Sequence, residues 1–138
     1  MADANRSSIF ITGAASGIGL ATAKRFAAAG WFVGLADIDT AGLETALRAV
    51  GAGNGVAIAL DVRDRAQWTA ALERFGAASG GRCDVLFNNA GIGRYGWFED
   101  IDPDEADLEI DINLKGVVNG AYAGLALLKA TPGSRLIN

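Results

Sequence analysis

The residues with the clearest chemical meaning form a glycine-rich octet at positions 12–19, with the sequence Thr-Gly-Ala-Ala-Ser-Gly-Ile-Gly. The octet follows an apolar run at 9–11 and precedes a run of good helix formers. A strand that turns through glycines into a helix presents unpaired N–H groups and the positive end of the helix dipole, which together bind phosphates. The spacing Gly-x3-Gly-x-Gly differs from the commoner Gly-x-Gly-x-x-Gly. A plain turn is the alternative in a chain with 19 glycines.

The glycines of the octet have separate expected roles. Gly13 lets the chain turn sharply off the strand, and Gly17 lets a pyrophosphate approach the backbone. Gly19 lets the new helix pack closely on the sheet. We therefore predict that a dinucleotide contacts the octet at Gly13, Ser16, Gly17, Ile18 and Gly19.

A second candidate is Asp37, which lies 18 residues after Gly19 at the end of a predicted strand. Dinucleotide-binding folds place an acid there to accept hydrogen bonds from the adenosine ribose. The alternative is that Asp37, like Asp39, only caps the following helix. A carboxylate would repel a 2′-phosphate by several kcal/mol at an effective dielectric constant of about 20. No Lys or Arg stands at positions 14–16 or 38 to offset this repulsion, so we predict NAD rather than NADP.

These residues need a scaffold of strands alternating with helices. The apolar runs predict strands at 8–12, 32–36, 56–60, 85–87 and 135–138. Helices are predicted from the glycine loop to residue 29, at 41–50, after an Asp64 cap, and at 103–130, the last about 42 Å long if unbroken. Residues 1–6 are predicted to form a frayed polar tail. The alternation predicts one α/β domain over 1–138, a doubly wound, Rossmann-like parallel sheet of order 3-2-1-4-5.

With the sequence Asn88-Asn89-Ala90-Gly91 after the fourth strand, the octet resembles the short-chain dehydrogenase/reductase family. The resemblance implies that Asn89, Ala90 and Gly91 line the nicotinamide side of a bound cofactor. It also implies that Asp61 holds the adenine amino group and that the backbone N–H of Val62 holds the same base. A solvated acid at the end of a strand is the alternative for Asp61.

Asn113 falls in the long predicted helix, where the family has its catalytic asparagine. Asparagine is a poor residue in the middle of a helix, because its side chain competes for backbone hydrogen bonds. In the family this residue goes with a local helix kink, and its carbonyl holds a water of the proton relay. An indifferent surface asparagine is the alternative, and Lys115 is expected to be a solvated charge.

The family's Tyr-x-x-x-Lys is not found at either tyrosine, since Ala126 follows Tyr122 and Glu99 follows Tyr95 at the lysine position. The family's catalytic serine is also missing from a sequence that ends at Asn138. The resemblance thus implies the NAD-binding, amino-terminal half of an enzyme that transfers hydride between NAD and an alcohol or carbonyl, inactive alone. The alternatives are a non-catalytic dinucleotide-binding sensor or docking module and, disfavoured by the motifs, a methyltransferase.

Composition limits the other classes of partner. A net charge of -4 and no cluster of Lys or Arg argue against nucleic acid and anionic membranes. No long apolar run or leader is present, so we expect a cytoplasmic protein. The sequence has no histidine, and its one cysteine, Cys83, is expected to be buried, so neither a metal site nor a disulfide framework is predicted.

Two apolar groups remain without an assigned partner. The long helix carries a wide apolar stripe, which predicts a homo-oligomer formed through that helix, and an uncovered fifth strand favours the same association. Tyr95, Trp97 and Phe98 follow the Asn-Asn-Ala-Gly sequence. They either border an apolar substrate or pack under the long helix.

Overall fold

The computed structural model describes residues 6–138, so most of the predicted frayed tail lies outside the described residues. Arg6, its last residue, is held firmly. The Arg6 guanidinium donates to the carbonyl oxygens of Gly30 at 2.6 Å and Trp31 at 3.0 Å, and to Oδ1 of Asn54 at 2.8 Å. The prediction of fraying is therefore wrong at Arg6, because its side chain joins the start of the first strand to the loops that precede the second and third strands.

Five parallel strands form the sheet, and their order is β3-β2-β1-β4-β5, as predicted. They are β1 (Ser8–Thr12), β2 (Phe32–Asp37), β3 (Gly55–Ala59), β4 (Val85–Phe87) and β5 (Arg135–Ile137). Strand β3 begins and ends one residue earlier than predicted, and β2 extends one residue further, to include Asp37. The carboxyl ends of β1 and β4 lie side by side, where the direction of winding reverses.

Residues 6–138 form five α-helices: α1 (Gly17–Ala28), α2 (Thr40–Val50), α3 (Arg65–Ala78), α4 (Pro103–Ile110) and α5 (Gly116–Ala130), of which all but α4 pack on the two faces of the sheet. Aspartates cap three of them. The side chain of Asp39 accepts from the Gly42 N–H, Asp64 accepts at the start of α3, and Asp102 accepts at the start of α4. No helix in the part of the chain described is both long and apolar enough to cross a membrane.

The strands are apolar on both sides because helices cover both faces. Phe10 points to the α3 and α5 side, where it packs against Trp68 and Phe75 with ring centroids 6.0 Å and 5.2 Å away. Its neighbours Ile9 and Ile11 point the other way, towards α1 and α2. This alternation explains why near-continuous apolar runs, rather than period-two patterns, mark the strands of this sheet.

The long predicted helix has its expected extent, from residue 103 to 130, but it is not one regular α-helix. Its middle turn, Asp111–Lys115, is a π-helix, and the backbone N–H of Gly116 donates to the carbonyl of Asp111. Single π turns within α-helices are rare and are frequently found at functional sites. Asn113 lies at the centre of this turn, where the resemblance implies a kink.

Candidate functional site

A cleft of about 710 Å³ lies at the carboxyl ends of the first four strands. It brings together ten of the predicted site residues: Gly13, Ser16, Gly17, Ile18, Asp37, Asp61, Val62, Asn89, Ala90 and Gly91. Gly19 and Asn113 are in contact with the lining residues without being among them. The cleft also has lining residues for which no binding role was predicted: Ile38, Leu60, Arg63, Ile92, Leu108 and Ile112.

The glycine loop has the geometry that a phosphate site requires. Gly13 and Gly17 have φ angles of +67° and +52°, which glycine adopts more readily than other residues. A Cβ built on Gly17 meets no atom within 4 Å, so the backbone there faces open space. Among residues 6–138, no side chain caps the first turn of α1, which leaves its N–H groups for a ligand.

Gly19 is needed for a different reason from the one predicted. A Cβ at this position would lie 2.1 Å from the carbonyl oxygen of Gly13 and 2.8 Å from Nδ2 of Asn89. The close contact is therefore with the turn itself and with the loop after β4, rather than with the strands. The octet folds back on its own helix, and Gly19 makes this possible.

The loop after β4 is tied to β1 by paired hydrogen bonds. Oγ1 of Thr12 accepts from the backbone N–H groups of Asn89 and Ala90, both at 3.0 Å. Nδ2 of Asn89 donates to the Thr12 carbonyl at 3.0 Å, and Nδ2 of Asn88 donates to the Val117 carbonyl at 3.3 Å. The asparagine side chains thus brace the loop against its neighbours. The part played by Thr12 was missed, although its place at the head of the octet was visible.

Asp37 is positioned by two backbone N–H groups. One carboxylate oxygen accepts from the N–H of Ala15 and the other from the N–H of Asp39, each at 3.0 Å. The capping alternative is wrong, since Asp39 is the residue that caps α2. Each oxygen of a carboxylate has two lone pairs, so Asp37 can still accept from a pair of ligand hydroxyls.

Asp61 is not the solvated acid of the alternative interpretation. The guanidinium of Arg63 binds its carboxylate in a fork, with Nε–Oδ1 at 2.9 Å and Nη2–Oδ2 at 2.6 Å. This hydrogen bonding holds the pKa of Asp61 below its usual value. An amino group that binds Asp61 must share the carboxylate with Arg63 or displace it. The basic residue two positions after the acid was the sequence signal for this pair.

Asn113 clamps the loop that follows the Asn-Asn-Ala-Gly sequence. Its Oδ1 accepts from the N–H of Ile92 at 2.9 Å, and its Nδ2 donates to the carbonyl of the same residue at 2.7 Å. Both ends of the amide are thus used, and the alternative of an indifferent surface asparagine is wrong. A catalytic role for Asn113 stays a prediction, and its side chain would serve by fixing the cleft wall.

The clamp predicts a measurable cost for Asn113→Ala. Removing both hydrogen bonds to Ile92 should lower the free energy of unfolding by about 1–2 kcal/mol. The Ile92 amide should also exchange its hydrogen faster. Denaturant unfolding and hydrogen exchange measure these effects, with Lys115→Ala as the control, since Lys115 is 66% exposed and forms its ion pair with Asp111. If the Ile92 amide hydrogen exchanged at the same rate in both variants, the result would contradict the clamp.

Three aromatic side chains beside the cleft are exposed: Tyr95 at 98%, Trp97 at 79% and Phe98 at 92%. The expectation that they pack under the long helix is therefore wrong. Cys83, in contrast, is buried as expected, and burial raises the pKa of its thiol to about 12. A thiol in this state is no nucleophile at neutral pH.

Comparison with known proteins decides the family. The sequence profile described as short chain dehydrogenase matches residues 7–138. The chain belongs to the short-chain dehydrogenase family. Within it, the chain is 41% identical to the oxidoreductase UcpA of Escherichia coli strain K12 over 128 residues, which are 92% of this chain and 48% of UcpA. The chain spans 22% of the length of the probable oxidoreductase EphD of Mycobacterium bovis and 50% of the length of the levodione reductase of Leifsonia aquatica, so it covers only part of these curated relatives.

Solved structures of short-chain dehydrogenases show the same fold. The chain is similar to the 3-ketoacyl-(acyl-carrier-protein) reductase of Brucella melitensis complexed with NADH, with a TM-score of 0.85 and 34% identity over 93% of this chain and 52% of that one. It is also similar to a family member from Burkholderia phymatum in complex with NAD, with a TM-score of 0.84 and 28% identity over 94% and 47% of the two chains. The open space at Gly17 and the acceptors of Asp37 fit a dinucleotide of this kind.

Proposed function

We propose that this chain is the NAD-binding part of an oxidoreductase that transfers hydride between NAD and an alcohol or carbonyl substrate. The observation that supports this best is the Asp37 carboxylate. It is fixed by two N–H groups in the same cleft as the uncapped glycine loop. The carboxylate suits a pair of ribose hydroxyls, and the glycine loop suits a pyrophosphate. A dinucleotide carries both groups.

The chain's own residues would bind and orient the cofactor. Gly13, Gly17 and the first turn of α1 would hold the phosphates, and Asp37 would hold the adenosine ribose. Asp61 and Val62 would hold the adenine at one end of the cleft, while Asn89, Ala90 and Gly91 would line the nicotinamide end. NAD, when bound, supplies the ring carbon that accepts the hydride as the alcohol becomes a carbonyl and releases its proton.

Residues 1–138 alone should bind NAD without turning over substrate, because neither tyrosine has a lysine four positions later. Isothermal titration with NAD, NADP and S-adenosylmethionine tests the binding. We expect binding of NAD, binding of NADP at least about tenfold weaker because of the Asp37 charge, and no binding of S-adenosylmethionine. Binding of S-adenosylmethionine without NAD would favour a methyltransferase instead.

The coding DNA after the Asn138 codon separates the enzyme from the sensor or docking module. A reading frame that continues into a serine and Tyr-x-x-x-Lys would support the dehydrogenase. A stop codon there would contradict it and favour the non-catalytic module.

We also propose that the protein forms a homo-oligomer through the long helix. Five apolar side chains of α4, the π turn and α5 are at least 39% exposed: Ile110, Leu114, Val118, Tyr122 and Leu125. They recur at three- and four-residue spacings and so share one helix face, which a second copy would cover.

A further inference from the structure

The side chain of Asn119 on α5 is buried, with 6% exposed, and all its hydrogen bonds go to one short segment. Its Nδ2 donates to the carbonyl of Val62 at 3.1 Å and, at the longer distance of 3.4 Å, to the carbonyl of Arg63. Its Oδ1 accepts from Nε of Arg65 at 2.9 Å. A single amide thus joins α5 to the connection between β3 and α3.

That connection is one wall of the cleft. Asp61, Val62 and Arg63 line it, at the end where an adenine is proposed to bind. The Val62 carbonyl also accepts from the indole N–H of Trp68 at 2.9 Å, so two donors fix the orientation of this buried peptide group. Without Asn119 the Val62 carbonyl would lose one of its two donors, the one that comes from α5.

Glycines on α5 let the wall come close enough for this bond. A Cβ on Gly116 would lie 2.7 Å from Cγ2 of Val62, and a Cβ on Gly120 would lie 2.7 Å from the Trp68 ring. Gly116 lies three residues before Asn119 and four residues before Gly120, so each of these two residues is a neighbour of Gly116 on the helix surface. The helix is therefore flat where the wall rests on it, and Asn119 is the polar group at that contact.

We propose that Asn119 is a positioning residue for the adenine end of the cleft. It acts through the backbone of Val62 and Arg63 and touches no part of the cofactor itself. The inference rests on the proposed function, since it assumes that a dinucleotide lies along this wall. The inference adds that the affinity for the adenine half of the dinucleotide depends on Asn119, which lies behind the cleft wall and does not line the cleft itself.

The test is the variant Asn119→Asp, which keeps the size of the side chain and an acceptor for Arg65. It replaces the donor with a carboxylate oxygen that faces two carbonyl groups, so the wall must move. We expect NAD and ADP-ribose to bind about tenfold more weakly. Nicotinamide mononucleotide, which has no adenine, should bind the variant and the unsubstituted protein with the same affinity. NMR titrations measure all three affinities, including millimolar ones.

Asn54 offers a matched control directly before β3, at the other end of the strand that leads into the wall. Its Nδ2 donates to the Val50 carbonyl at 2.9 Å, and its Oδ1 accepts from Arg6 at 2.8 Å, so it also links an arginine with a backbone carbonyl. Asn54→Asp should lower stability without changing the binding of any of the three ligands. If Asn119→Asp does not fold, Arg65→Met removes only the Oδ1 partner and should weaken NAD and ADP-ribose about threefold.

The outcomes separate the two proposals. If the unsubstituted protein binds neither NAD nor ADP-ribose, the proposed function fails and this inference fails with it. If the protein binds both, but Asn119→Asp binds them equally well, only the positioning role is overturned. Equal weakening of nicotinamide mononucleotide would also overturn it, because the effect would then be a general loss of structure.

Discussion

Gly19→Ala is expected to weaken NAD binding by about 100-fold or more, which corresponds to the loss of one or two charge-assisted hydrogen bonds. The new Cβ would lie 2.1 Å from the Gly13 carbonyl oxygen and 2.8 Å from Nδ2 of Asn89. The Gly13 carbonyl carbon would also lie 2.8 Å away. The carbonyl carbon and oxygen of Gly13 belong to the backbone of the turn, so no rotation of a side chain relieves the clash. The turn must move away from α1, and its N–H groups then no longer converge on the phosphates.

Gly53→Ala is the matched control for this variant. Gly53 has no positive φ, and a Cβ there meets no atom within 4 Å, so we expect unchanged NAD affinity. Calorimetric titration gives the affinities, and thermal unfolding gives the cost of overpacking at Gly19, about 1–3 kcal/mol. If Gly19→Ala fails to fold, Gly17→Ala replaces it, since its Cβ would meet no protein atom and the positive φ would cost only about 1–2 kcal/mol. Unchanged NAD binding in a folded Gly19 or Gly17 variant would contradict the phosphate site.

The fold could be predicted because its signals are local. Apolar runs gave the strands, and Asp39 and Asp64 marked helix starts where their side chains do cap. The error at β3 has a physical reason. Leu60 is apolar and 2% exposed, yet it lies beyond the strand, so burial extended the apolar run past the last ladder residue. Gly55 begins the strand but has no side chain that could signal it.

Site residues could be predicted only where the type of residue and its spacing in the sequence are enough to indicate the role. Gly17 and Asp37 were found because the spacing from loop to acid is itself the signal. Arg63, which lines the cleft, and Asn119, which holds the cleft wall from behind, were missed because their roles depend on partners that only the fold brings near. Asn119 lies 57 residues from Val62 in sequence. The π turn was also missed as such, since an α-helix and a π turn bury nearly the same residues.

Asp37→Ala is expected to shift the ratio of NAD to NADP affinity by about 100-fold in favour of NADP. The substitution removes the acceptor for two ribose hydroxyls, which weakens NAD. It also removes a negative charge that would lie near a 2′-phosphate, and that repulsion amounts to about 4 kcal/mol at 4 Å and an effective dielectric constant of 20, before screening by salt. Paired titrations at one ionic strength measure the ratio.

Asp37→Asn and Asp39→Ala divide this effect into its parts. Asp37→Asn removes the charge and keeps one oxygen acceptor, so it should restore NADP binding with a smaller loss of NAD. Asp39→Ala removes a neighbouring acid that caps α2, so it should cost about 1 kcal/mol of stability and leave the ratio within about threefold. A shift of the ratio in Asp39→Ala as large as in Asp37→Ala would mean that the general negative charge, and not the positioned carboxylate of Asp37, selects the cofactor.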